Sequence, residues 1–210
     1  MTKVLNLYAG LGGNRKLWTE VQVTAVESEP KIAAVYQRLN PADTVIVGDA
    51  HAYLLENLER FDFVWSSPPC QTHSKMNKAT RHKLNRYPDM RLYEEIIYLQ
   101  HNASCKWVVE NVKPYYAPLL PAKEMGRHLV WCNFAVEACE IPTPPDFINK
   151  CTVAGKRALM EWLGIHYDEN IYYAGNHCPA QILRNCVHPL LGKHILDAAR
   201  MPNDEVSDGV

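Results

Sequence analysis

The chain has 210 residues, 47% of them hydrophobic and 21% charged, which fits one domain with at most a small appended lobe. Its formal net charge of −1 gives a nucleic-acid partner no support by itself, so local charge has to supply any such contact. No apolar run approaches the roughly 18 residues of a membrane span. The opening residues also lack a secretory cleavage pattern, and the seven cysteines contain no Cys-x-x-Cys pair. The expectation is a cytoplasmic protein without a disulfide framework or structural zinc.

In chain order, apolar β-rich runs at Val4–Tyr8, Val21–Val26, Thr44–Val47, Phe61–Trp65 and Trp107–Val109 predict five strands. Helical character appears at Pro30–Leu39 and Ala50–Leu58, and again where Met90, Tyr93, Ile96 and Ile97 precede the fifth strand. Strand and helix alternating in this way predict an α/β fold, a mostly parallel sheet with helices on both faces. Residues 71–88 break the rhythm, carrying Lys75, Lys78, Arg81, Lys83 and Arg86 with no acidic residue. So long a polar connection inside a compact domain predicts a mobile functional loop. Further on, Ile141-Pro142-Thr143-Pro144-Pro145 reads as an extended linker, Ala158–Leu163 and Leu190–Ala199 as helices, and the acidic tail from Pro202 as frayed.

Open α/β sheets bind ligands at the carboxyl ends of their strands. The first strand runs into Tyr8-Ala9-Gly10-Leu11-Gly12-Gly13, a turn expected beside a helix N-terminus, where glycines let backbone approach a ligand closely. Glu27 ends the second strand, suited to ribose hydroxyls, and Asp49 follows the third, suited to an adenine amino group. Three such features at successive strand ends point to an adenosine-containing cofactor. Without a complete G-x-G-x-x-G turn, S-adenosylmethionine is favoured over NAD. The fourth strand ends in Ser66-Ser67-Pro68-Pro69-Cys70-Gln71, where two prolines stiffen the turn and hold a candidate nucleophile. The fifth ends in Glu110-Asn111-Val112. A glutamate buried there is expected to have a raised pKa and to donate a proton to a ring nitrogen.

Taken in order, these motifs resemble the cytosine-C5 methyltransferase family over roughly residues 3–134, and most closely its short, phage-type members. The resemblance implies a Rossmann-like S-adenosylmethionine-dependent fold with a minimal target-recognition lobe, and a flipped cytosine in double-stranded DNA as substrate. Cys70 would attack carbon 6 and Glu110 would hold N3 and the exocyclic amine. Gly126-Arg127-His128-Leu129-Val130-Trp131 resembles the family's arginine-bearing strand, with Arg127 near the base. Asn185-Cys186-Val187 resembles the motif that completes a cofactor pocket shared with Tyr8, Gly10, Gly12, Gly13, Glu27, Asp49 and Pro68. Gln71, Ser74, Lys75, Lys78, Arg81, Lys83 and Arg86 would meet the nucleic acid. The implied division is a catalytic core at 1–134, a reduced recognition region at 135–184, a returning helix at 185–201 and a flexible tail at 202–210. So small a recognition region predicts a short or relaxed target sequence, or help from a partner chain or homodimer. An RNA (tRNA) substrate, an exocyclic-amine methyltransferase and a non-catalytic regulatory subunit stay open as alternatives.

Overall fold

The computed structural model describes residues 1–75, 87–145, 147, 151–173 and 178–202. Its parallel strands are β1 (Thr2–Leu7), β2 (Val21–Glu27), β3 (Thr44–Val47), β4 (Phe63–Ser66) and β5 (Lys106–Val112). A hairpin of β6 (Lys123–Met125) and β7 (His128–Cys132) adds to one edge, with β7 antiparallel to β5. The order across the sheet is β3-β2-β1-β4-β5-β7-β6. The chain reverses strand order on either side of β1 and β4, the position at which doubly wound sheets open a crevice for ligands.

Helices cover both faces: α1 (Pro30–Leu39), α2 (Ala50–Asn57), α3 (Arg91–Asn102), α4 (Val153–Leu163), the single turn α5 (Gln181–Arg184) and α6 (Pro189–Arg200). Alternation along the strands sorts the core into two layers. Val4, Phe63, Trp65, Val108 and Val130 pack with Leu191, Ile195 and Leu196 of α6. Leu5, Leu7, Val64 and Val109 pack with Leu54 of α2 and with Leu92, Ile96 and Leu99 of α3. A third cluster joins Ile32 and Val35 of α1 to Leu159 and Leu163 of α4 and to Ile182 and Leu183 of α5. Much of the 135–184 region is thereby packed onto α1. Among the described residues no helix is long and apolar enough to cross a membrane.

Three expectations need correction. The glycine turn after β1 leads into successive turns and not a helix, with Arg15 and Lys16 amides both bonded to the Gly12 carbonyl. The segment after the turn is packed closely against α6, whose Gly192 lies so near that a Cβ there would sit 2.1 Å from the Asn14 carbonyl oxygen. Second, Cys151 and Cys178 form a disulfide, with Cα atoms 5.5 Å apart. Sequence spacing could not signal it, because the pairing depends on how the start of α4 meets the segment before α5. Third, Gly126 and Arg127 lie in the β6–β7 turn, where Gly126 takes a φ of 58°, and the strand begins only at His128.

Candidate active site

The Pro68-Pro69-Cys70 turn is tied to the end of β5 by two side-chain bonds. Asn111 donates its amide to the Pro68 carbonyl at 2.9 Å, and the Ser67 hydroxyl donates to Glu110 Oε2 at 3.0 Å. Ser67 itself is fixed from behind by the Trp65 indole N–H at 2.8 Å. The parallel pairing of β4 with β5 sets Ser66 beside Val109, so Cys70 and Glu110 emerge from adjacent strand ends. Past Cys70, its carbonyl accepts the amides of His73 and Ser74. The His73 ring is buried against Tyr93 and Tyr116, with Nδ1 2.5 Å from the Tyr116 hydroxyl.

Glu110 is 5% exposed, and its surroundings reverse the pKa expected for it. Burial pushes the carboxyl up, but the His128 ring bonded to it, the Ser67 hydroxyl and the Arg127 charge outweigh this and hold it below the usual carboxylate range. His128 meets Glu110 because antiparallel pairing sets His128 opposite Val112. The two side chains then share one sheet face on a diagonal. His128 Nδ1 bonds Glu110 Oε1, and both groups are buried.

Arg127 points elsewhere. Its guanidinium donates to the carbonyls of Arg184 at 3.0 Å and Cys186 at 2.9 Å, and it lies over the Phe147 ring. Its charge is still close enough to act on the thiol. Burial and then the Glu110 charge push Cys70 up to about 11, and Arg127 pulls in the opposite direction.

The glycine turn forms the neighbouring part of the sheet edge. Gly10 has φ +55° and a Cβ there would meet nothing within 4 Å, so the turn presents bare backbone to open space. Behind it, a Cβ on Gly13 would fall 2.4 Å from the Val187 carbonyl oxygen, so the Asn185-Cys186-Val187 segment does lie against this turn. Asn185 is exposed and donates to the Tyr173 hydroxyl at 3.0 Å. Glu27 accepts the amides of Gly10 and Glu29, each at 2.9 Å, and burial raises its carboxyl against these bonds. Asp49 caps α2 through the Ala52 amide while its carboxylate stays about half exposed. An open glycine backbone, a buried carboxylate behind it and an exposed acceptor beyond suit a ligand with an adenosine moiety.

Sequence reasoning missed one feature of this edge. Glu95 of α3 is fully buried and gathers the Tyr8 hydroxyl at 2.5 Å, the Ser66 hydroxyl at 2.5 Å and His51 Nδ1 at 3.1 Å. Its signal was an acid on the apolar face, three residues past Leu92 and four before Leu99. Tyr8, held by this bond, has a φ of 55°. Gln71 and Lys75 are exposed and Ser74 bridges to Pro114. Lys78, Arg81, Lys83 and Arg86 lie outside the described residues.

The family model for C-5 cytosine-specific DNA methylases matches residues 2–118. No curated protein sequence matches the chain. Among solved structures, a conserved hypothetical protein from Streptococcus pyogenes is 19% identical, with TM-score 0.43 over 63% of this chain and 86% of that one. The putative methyltransferase yhhF from Escherichia coli is 17% identical, with TM-score 0.41 over 62% and 74%. A DNMT2 mutant from Spodoptera frugiperda is 22% identical, with TM-score 0.40 over 54% of this chain and 36% of that one.

Proposed function

The chain belongs to the C-5 cytosine-specific DNA methylase family, which uses S-adenosylmethionine, and on that premise we propose that it methylates carbon 5 of a flipped cytosine in DNA through a covalent bond to Cys70. The observation that carries this reading is the pair of bonds from Asn111 to Pro68 and from Ser67 to Glu110, which holds the thiol turn and the carboxylate together.

S-adenosylmethionine, when bound, would supply the methyl group as an activated sulfonium. The glycine turn, with Gly10, Gly12 and Gly13, would hold it together with Tyr8, Glu27, Asp49, Pro68 and Asn185. Cys70, as thiolate, adds its electron pair to carbon 6 of the base. The displaced π electrons move through carbon 4 to N3, which takes a proton from Glu110. Carbon 5 is now electron-rich and able to form the new carbon–carbon bond. Loss of the carbon-5 proton to solvent restores the ring double bond as the carbon–sulfur bond breaks and its electrons return to Cys70. The N3 proton goes back to Glu110. Arg127 assists from a distance by favouring the thiolate.

The target atom is unreachable in a stacked duplex, so the base leaves the stack. The basic stretch from Gln71 to Arg86 contacts phosphates around it, and residues 135–184 carry what target recognition the chain has of its own. DNA containing 5-fluorocytosine tests the reading, because fluorine cannot leave carbon 5 as a proton does. The expected result is a denaturation-resistant complex that requires S-adenosylmethionine and disappears in Cys70→Ala. Its absence on DNA, alongside its formation on tRNA, overturns the substrate; its absence on both overturns the chemistry.

A further inference from the structure

The carboxylate that must protonate N3 is held ionised at rest, so a proton has to reach it from a neighbour. The Ser67 hydroxyl on Oε2 is an unsuitable source, since its oxygen is already fixed by the Trp65 N–H and an alcohol gives up its proton too reluctantly. A guanidinium keeps its protons throughout the accessible pH range, and the donors of Arg127 are directed to two backbone carbonyls. His128 remains. Its Nδ1 lies on Glu110 Oε1, in a pair only 5% exposed on each side, and histidine is the side chain that exchanges a proton near neutrality.

We infer that His128, and not Arg127, completes the acid of this active site: its imidazolium passes a proton through Glu110 to N3 as Cys70 adds, and recovers it on product release. The inference rests on the Cys70–Glu110 reading above. Electron and proton counts close over the cycle. The pair begins with one proton on His128 and a negative Glu110. After addition, N3 carries the proton and His128 is neutral; after elimination, the starting state returns and only the carbon-5 proton has been lost. His128 touches no reacting atom. It acts through Glu110 as a positioning and proton-supplying residue.

Among the described residues, the charged or titratable groups acting on the pair are Cys70 from the turn after β4 and Arg127 from the β6–β7 turn. Cys70 has to lose its proton and His128 has to keep one. Because the Cys70 thiol is pushed up to about 11, above the neutral range in which an imidazole exchanges its proton, thiolate gained with rising pH is offset by imidazolium lost, and the rate levels off on the alkaline side instead of continuing to rise. That plateau is the mark of a required imidazolium, because the thiolate requirement alone would keep the rate rising with pH up to about 11.

The test uses His128→Asn, which retains an N–H for Glu110 but has no exchangeable proton. Single-turnover methylation of plasmid DNA would be followed from about pH 6 to about pH 10 for both proteins. The expected result is a loss of about 10²–10⁴-fold in the variant, the usual range for a removed acid. The alkaline plateau should vanish with it, the variant's rate continuing to rise with pH, while calorimetric affinity for S-adenosylhomocysteine stays unchanged. A variant at wild-type rate with the wild-type alkaline plateau overturns the inference. Should the variant fail to bind S-adenosylhomocysteine, ¹⁵N NMR of the wild-type imidazole decides. Both ring nitrogens protonated at neutral pH supports the proton store, and a neutral ring overturns it. Failure of the parent reading looks different: the wild-type protein then forms no adduct with 5-fluorocytosine DNA or RNA.

Discussion

Replacing Glu110 with glutamine should make Cys70 more reactive toward a simple alkylating agent even as it abolishes methylation. In the resting protein burial and the Glu110 charge push the thiol up to about 11. At about pH 8 that leaves roughly one thiolate in a thousand, against about one in four for an ordinary cysteine near 8.5. A more basic thiolate is intrinsically a better nucleophile, by about tenfold over this interval. The net expectation is alkylation of Cys70 about 20-fold slower than that of an exposed cysteine. The glutamine side chain would keep the shape and remove the charge, so the midpoint of the alkylation profile should move down and the rate at that pH should rise. Iodoacetamide labelling followed by mass spectrometry of the peptide carrying Cys70 reads this directly, separate from Cys105, Cys132, Cys139 and Cys186, the other free thiols among the described residues. A wild-type midpoint at the ordinary cysteine value, or an upward shift in Glu110→Gln, would refute the electrostatic account.

Three stability changes follow from packing and pairing. Gly192→Ala puts a methyl group 2.1 Å from the Asn14 carbonyl oxygen; overpacking of this kind costs about 1–3 kcal/mol. Each kcal/mol should lower Tm by about 2–4 °C in a chain of this size, as read by calorimetry. Asp43→Ala strips a buried carboxylate from Arg15, bound through both oxygens at 2.8 Å, and from the Tyr36 hydroxyl. Urea unfolding should register a loss of about 3–5 kcal/mol, the range for leaving one charge of a buried pair alone. Cys151→Ser removes the disulfide to Cys178 across a separation of 27 residues, and a loss of about 3 kcal/mol is expected. That loss should match the effect of a reductant on the wild-type protein, and a reductant that leaves the wild-type Tm unchanged would contradict it.

The sheet was legible because strand and helix patterns alternate cleanly between Val4 and Val109, and α1 falls at Pro30–Leu39 as its periodicity predicts. Proline at the start of α1 and Asn40 at its end bound it locally, so no tertiary information was needed. Strand ends were legible for the same reason, and they bring Tyr8, Glu27, Asp49, Cys70 and Glu110 to one edge. What could not be read depends on pairing across distance. The neighbours Arg127 and His128 look interchangeable in a linear motif; only the register of β7 against β5 directs the histidine to Glu110 and leaves arginine in the turn. The sign of the Glu110 shift was lost with that choice, since burial alone argues upward. Glu95 was passed over because an acid on an apolar helix face carries no message until its three partners arrive from the turn after β1, from β4 and from α2.

The contact between Gly192 and Asn14 also bears on how the protein is made. The glycine turn proposed to hold the cofactor comes from residues 10–13, but its far wall is Cys186 and Val187, and its loop is pinned by Gly192 and by the Trp18 indole on the Gly192 carbonyl at 2.9 Å. Closing this contact spans nearly the whole described chain, the costliest kind of closure in folding. During synthesis, β1 through β5 can assemble as each strand emerges. The glycine-turn edge stays unfinished until residues 186–192 have left the ribosome, so a cofactor held there would bind only after residues 135–184 have been synthesised.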